Sequence, residues 1–168
     1  MMRHARVAVA VAALSLGVVA ASPAHAADWA LNGRYVATSN GDWASTNEVY
    51  RDLPSVRSIW TITMTCSNVV TCDGTVVSDA GWSADIAVQS TDYYVVRDLP
   101  DWQRCADGTG RTVTGHQRYR FYPAGPDGNI LAGSPVFAGT DKTSGESGGC
   151  SLNEKVQIEM PFRLEKLD

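Results

Sequence analysis

Apolar residues recur at every second position through much of this chain, and nowhere do they hold the i, i+3, i+4 spacing of an amphipathic helix. The C-terminal run VQIEMPFRLE is the cleanest case: Val156, Ile158, Met160, Phe162 and Leu164 fall on one face, with Gln157, Glu159, Arg163 and Glu165 on the other. Pro161 falls on the polar face and removes one ladder donor, which a strand tolerates best at an edge or a bulge. In VRSIWTITMTC, Val56, Trp60, Ile62, Met64 and Cys66 share a face, with Ser58 the polar exception, while threonines 61, 63 and 65 turn outward, as β-propensity favours.

Weaker alternation predicts further strands over 31–39, 74–78, 84–90, 92–97, 117–122 and 135–139. Turn chemistry separates them at Asp73-Gly74, Asp107-Gly108, Gly125-Pro126-Asp127-Gly128 and the cluster GTDKTSGESGG. The sum is an all-β chain, an antiparallel meander of about eight strands. Such a sheet must hide its edges, and the short successive hairpins favour a small closed, lipocalin-like barrel over a β-sandwich. The inward set includes Trp, Tyr, Met and Phe, whose bulk favours a filled or narrow interior.

The tetrapeptide Arg-Asp-Leu-Pro occurs twice, at 51–54 and 97–100, at unequal points of the pattern. The first precedes a strand, with Pro54 fixing the backbone before it. The second follows one, with Pro100 expected to end the ladder. A true duplication would keep a fixed period, and the flanks do not.

The N-terminus MMRHARVAVAVAALSLGVVAASPAHA has the three parts of a secretory signal: Arg3 and Arg6, the apolar run from Val7 to Ala21, and Ala24-His25-Ala26. Residues 1–26 are therefore expected to be a signal peptide cleaved near Ala26. Residues 27–168 then form one disulfide-bonded β domain with no transmembrane segment in the mature chain. Without Arg3 and Arg6 the 14 basic residues become 12 against 18 acidic ones, a net charge of −6. That balance argues against nucleic acid or anionic lipid headgroups as partners. Cys66, Cys72, Cys105 and Cys150 suit two disulfides in an exported chain. Their spacing does not match common zinc patterns, and His116 is the one histidine beyond residue 26. Cys66 with Cys72, across a hairpin, and Cys105 with Cys150 is the preferred pairing.

Candidate chemistry is sparse, and no cofactor is implied: no phosphate loop, dinucleotide fingerprint or EF-hand loop is present. No G-x-S-x-G elbow presents a serine, so a secreted hydrolase would rest on His116 or on a carboxylate pair that the sequence does not select. Among the tryptophans, Trp60 lies on an inward face and reads as core. Trp43, Trp82 and Trp102 stand in polar, loop-like surroundings; they either plug the ends of the barrel or rim a mouth where a small apolar ligand enters. Tyr94, Arg97 and Tyr119, on neighbouring strands, complete the candidate set. Arg118 and Arg120 alternate with Tyr119 and Phe121 and read as a wet outer face, with anion-binding groups inside as the alternative.

The stretches GRYVATSNGDWASTNEVYRD (33–52), VRSIWTITMTC (56–66), SDAGWSA (78–84), YVVRDLPDWQRC (94–105) and QRYRFYP (117–123) make the chain similar to a family of small exported, signal-peptide-bearing proteins of mycobacteria and related actinobacteria. The resemblance spans most of the chain after residue 26. It implies an exported, disulfide-bonded β domain, transfers no catalytic residue, and makes the second Arg-Asp-Leu-Pro, followed by Trp102 and Cys105, the more characteristic copy. The expectation is a secreted, non-enzymatic domain of the cell envelope or extracellular space that binds a small apolar ligand or an envelope protein.

Overall fold

A computed structural model describes residues 29–68, 71–151 and 153–167; the expected signal segment, 1–26, lies outside them. The strands are β1 (Asn32–Ser39), β2 (Ser45–Thr46), β3 (Val49–Tyr50), β4 (Val56–Cys66), β5 (Cys72–Ser78), β6 (Trp82–Gln89), β7 (Asp92–Arg104), β8 (Thr112–Pro123), β9 (Val136–Gly145) and β10 (Gln157–Lys166). They pair antiparallel in the order β1-β4-β5-β6-β7-β8-β9-β10, and β10 pairs back onto β1, so eight strands close into a barrel. Closure removes the sheet edges that an open meander of this length would leave. The short hairpin β2–β3 is appended to β10 beyond β1. Asn47 and Glu48 at its tip have φ of 46° and 65°, as a tight hairpin turn requires. Two-residue strands leave no periodicity to read, so the sequence gives no sign of this hairpin.

Period-two burial follows the alternation read from the sequence. In β4, Trp60, Ile62 and Met64 are buried, with Thr61, Thr63 and Thr65 exposed between them. In β10, Phe162 and Leu164 reach the core, while Ile158 and Met160 are half-buried nearer one end of the barrel. Aromatic rings fill the interior. Trp60 lies at its centre, with ring centroids of Phe162, Trp82 and Tyr119 at 5.3, 5.4 and 4.9 Å. Tyr93 stacks on Phe121 at 5.3 Å and meets Phe137 edge-on at 5.6 Å. The N-terminal segment closes the near end: Trp29 packs on Tyr93, whose hydroxyl donates to the Trp29 carbonyl at 2.9 Å.

Several boundaries differ from the sequence pattern. Asp73-Gly74 is not a turn but part of β5, and Gly74 is required there because a Cβ would lie 2.0 Å from the Thr63 carbonyl oxygen. The cluster GTDKTSGESGG was expected to be a turn, yet its first half, Gly139–Gly145, completes β9. Those residues are paired on both sides, to β8 and to β10, and that pairing overrides their local turn preference. Pro100 does not end its ladder. β7 continues to Arg104 through a bulge between Leu99 and Gln103, with Asp101 at φ 54°. The first Arg-Asp-Leu-Pro is a loop leading to β4, as the sequence suggests, and Leu53 donates to the Gly41 carbonyl at 3.1 Å. Pro161 sits where β10 changes neighbours. Its carbonyl accepts from Asn40 just past the end of β1, so its missing N–H falls where the β1 ladder ends.

The two disulfides are those preferred from the sequence. Cys66–Cys72 joins register partners across β4 and β5. Cys105–Cys150, 45 residues apart in sequence, ties the β7–β8 loop to the connection between β9 and β10. The longer loop removes more unfolded-state entropy, and it lies on the side of the molecule opposite Trp29.

Candidate functional site

The end of the barrel away from Trp29 is where polar groups enter the interior. β7 keeps its phase past Tyr93 and Val95, so Arg97 and Leu99 also face inward while Asp98 faces out. On β8 the same alternation turns Gln117 inward beside Tyr119, and on β9 it turns Asp141 and Thr143 inward. These side chains join into one chain of hydrogen bonds. Arg97 Nε donates to Gln117 Oε1 at 2.7 Å; Gln117 Nε2 donates to Asp141 Oδ1 at 2.8 Å; Ser39 Oγ donates to Asp141 Oδ2 at 2.6 Å. The Gln117 amide orientation follows from its neighbours, because its carbonyl must face the arginine and its NH2 the carboxylate.

Ser39, Gln117, Asp141 and Thr143 are all buried. Burial pushes the Asp141 carboxyl above its ordinary range, opposed by the Ser39 and Gln117 hydrogen bonds and by the charge of Arg97. Burial likewise raises the Tyr119 hydroxyl, and the Asp141 charge adds to that, so the phenol stays protonated. The Arg97 guanidinium lies over the Trp82 ring, 4.1 Å from its centroid. Trp82 in turn lies parallel to Tyr119 at 6.4 Å. Packing and hydrogen bonding thus hold the cation in one place.

Above this polar floor opens a recess of about 230 Å3, walled by Val56, Leu99, Trp102, Ile158 and Met160. The β7 bulge swings Trp102 across Gly115. A Cβ at Gly115 would lie 2.6 Å from Trp102 Cγ and 2.9 Å from the Thr143 methyl. Gly115→Ala is therefore expected to displace the Trp102 ring, at a cost of about 1–3 kcal/mol. Near-UV circular dichroism reads it directly; an unchanged tryptophan signal would show that the ring does not depend on this bed.

Of the residues singled out from the sequence, Trp82, Arg97, Trp102 and Tyr119 meet at this mouth. Trp43 and Tyr94 do not. Trp43 is 72% exposed in the single 3-10 turn after β1, and Tyr94 lies on the outer wall with Arg118 5.7 Å above its ring. Arg120, also outside, pairs with Asp92 at 2.8 Å. Gln117, Asp141 and Ser39 were missed. Gln117 had a usable signal, since it shares the inward phase of Tyr119 and Phe121; Asp141 had none while its segment read as a turn. His116 lies on the outer wall of β8, its Nδ1 2.6 Å from Asp98 Oδ1, on the opposite side of the sheet from the recess. Among the described residues, no cluster of His, Cys, Asp and Glu is placed to hold a metal ion. No described helix is long and apolar enough to cross a membrane.

The chain is thus an all-β protein built on a closed, eight-stranded antiparallel barrel, with a filled interior and a polar-floored recess at one mouth. No protein family profile matches its sequence, and no curated protein does. Among solved structures, the fold is similar to the monomer form of the M. tuberculosis PknI sensor domain, with a TM-score of 0.57 over 82% of this chain and 87% of that chain. Sequence identity is 11%, so the likeness is one of fold alone.

Proposed function

We propose that the chain is a secreted, non-enzymatic binding domain of the cell envelope or extracellular space, and that it binds a small, largely apolar ligand at the open mouth of the barrel. The observation that carries this reading is the recess itself. An apolar rim stands over buried, mutually hydrogen-bonded polar groups, the composition of a small-molecule site. Two disulfides fit an oxidising compartment, as does the signal-like N-terminus. The fold is shared with a mycobacterial sensor domain, in keeping with the resemblance to exported mycobacterial and actinobacterial proteins. The filled interior favours the mouth over the central cavity of a lipid-carrying barrel as the place for a ligand.

The test is native mass spectrometry of protein purified from its own host, together with tryptophan fluorescence on adding small apolar compounds. A bound species, and quenching that Trp102→Ala reduces, is the expected result. Ligand-free protein with no change in emission across the panel would remove this reading.

An envelope protein as partner is a second reading, and a different surface favours it. Trp43, Val49 and Tyr50 are all large, apolar and more than half exposed, and β3 is a free strand edge beside them. A hydrolase reading, carboxylate-based or His116-based, has in its favour the Asp98–His116 contact.

A further inference from the structure

We propose that the occupant of the mouth is a small apolar monocarboxylic acid, its carboxylate held by Arg97 and its hydrocarbon part lying on Leu99, Trp102, Ile158 and Met160. This rests on the reading of the mouth as a ligand site and adds the chemistry of the ligand. Among the described residues, Arg97 is the one cationic side chain lining the recess. Among the described residues it forms no ion pair, since its path to Asp141 runs through the Gln117 amide. Its Nε is committed to Gln117, its face to Trp82 and a further hydrogen bond to Tyr119, which fixes the guanidinium at the floor of the recess, where its remaining N–H donors suit a carboxylate. The Tyr119 hydroxyl, hydrogen-bonded with Arg97, lines the recess beside it.

The alternatives fit less well. A cationic ligand would need Asp141, but both oxygens of that carboxylate already accept hydrogen bonds and the residue is buried beneath Gln117. A sugar or a polyphosphate carries polar groups on every side, whereas polar partners stand only on the floor of the recess and its walls, Val56, Leu99, Trp102, Ile158 and Met160, offer no hydrogen-bonding side chain except the indole N–H. The chain's acidic balance also disfavours polyanions. At about 230 Å3 the recess is smaller than the usual range for drug-sized ligands, which suits a short or medium-chain acid.

The experiment compares octanoate, octanol and octylammonium as probes of the intact disulfide-bonded protein, by tryptophan fluorescence and calorimetry. Octanoate is expected to bind about tenfold more tightly than octanol, the difference that one charge-assisted hydrogen-bonded contact supplies, and octylammonium more weakly than both. Arg97→Met, which keeps the apolar stem, is expected to erase the preference for octanoate and to leave octanol binding. Equal binding of octanoate and octanol to the wild-type protein would overturn the role of Arg97 while leaving the mouth as a ligand site. Tighter binding of octylammonium would overturn it as well, in favour of Asp141. No binding by any of the three, with Trp102 emission unmoved, would sink both this inference and the ligand reading beneath it. The wild-type series decides the matter even if Arg97→Met does not fold.

Discussion

Trp60→Ala is expected to lower stability by about 3–5 kcal/mol, a large share of the 5–15 kcal/mol typical of a small domain. Trp60 is 1% exposed and sits among Trp82, Tyr119, Phe121 and Phe162 with centroids between 4.9 and 6.5 Å. Its indole N–H donates to Ser58 Oγ at 3.0 Å, so the native residue carries no unmet polar group to relieve. A closed barrel cannot collapse around the void, because each strand is held in register on both sides. The cavity term therefore comes on top of the lost transfer energy. Urea unfolding should show a lower midpoint with an unchanged slope. Trp43→Ala, at a 72% exposed position, is the control and should change stability by no more than about 0.5 kcal/mol. A similar loss in both variants would contradict the account of the core.

Asp141→Leu is expected to cost about 2–5 kcal/mol, because it strips acceptors from two buried donors at once, the Ser39 hydroxyl and the Gln117 amide. Asp141→Asn should cost much less. Its oxygen can accept from Gln117 and its NH2 can donate to Ser39, so the chain of hydrogen bonds survives without the charge. The two variants also separate the role of the charge, through pH. The folded state holds the Asp141 carboxyl above its ordinary value of 3.8, chiefly by burial. Between 3.8 and the raised folded value, the folded state therefore binds more protons than the unfolded chain. Linkage then makes the contribution of Asp141 greatest below 3.8, with stability lost as pH rises toward the folded value and level above it. Asp127, whose carboxyl is held low by hydrogen bonds from Asn129, acts in the opposite sense, so the useful quantity is a difference. The stability of the wild-type protein minus that of Asp141→Asn should fall as pH is raised from 3.8. A difference that rises over this interval would reverse the assignment.

How much of this was readable depends on the strand. β4 and β10 declare themselves because a full row of large apolar residues alternates with threonines or charges along each. β7 and β9 are read only in part. Pro100 interrupts the first at a bulge that depends on pairing with β8, and Thr140–Gly145 has the composition of a turn until neighbours on both sides supply its hydrogen bonds. Part of the site lies in those two unread halves, Leu99 and Trp102 on β7 and Asp141 and Thr143 on β9. Trp82, Arg97, Trp102 and Tyr119 are conspicuous one by one, but only ring closure brings β7, β8 and β9 against Ser39 at the end of β1. Trp43 and Tyr94 are equally conspicuous in sequence and fall outside, since aromatic character does not say which side of a wall a residue faces. The two Arg-Asp-Leu-Pro copies are unequal for the same reason. The first has no strand to set its faces, whereas the second sends Arg97 into the mouth and Asp98 to solvent toward His116.

β10 meets β1 only downstream of Pro161, from Ser39–Phe162 to Tyr35–Lys166, and meets β2 only upstream of it, at Glu159 and Ile158. The circumference of the ring is therefore set by one half of this strand, while the other half, carrying Ile158 and Met160 to the recess, pairs with the hairpin instead. The hairpin is mechanically separate from the hoop that holds the barrel together. Residues 44–51 could be exchanged, lengthened or re-sequenced while every hydrogen-bonded pair of the hoop stayed as it is.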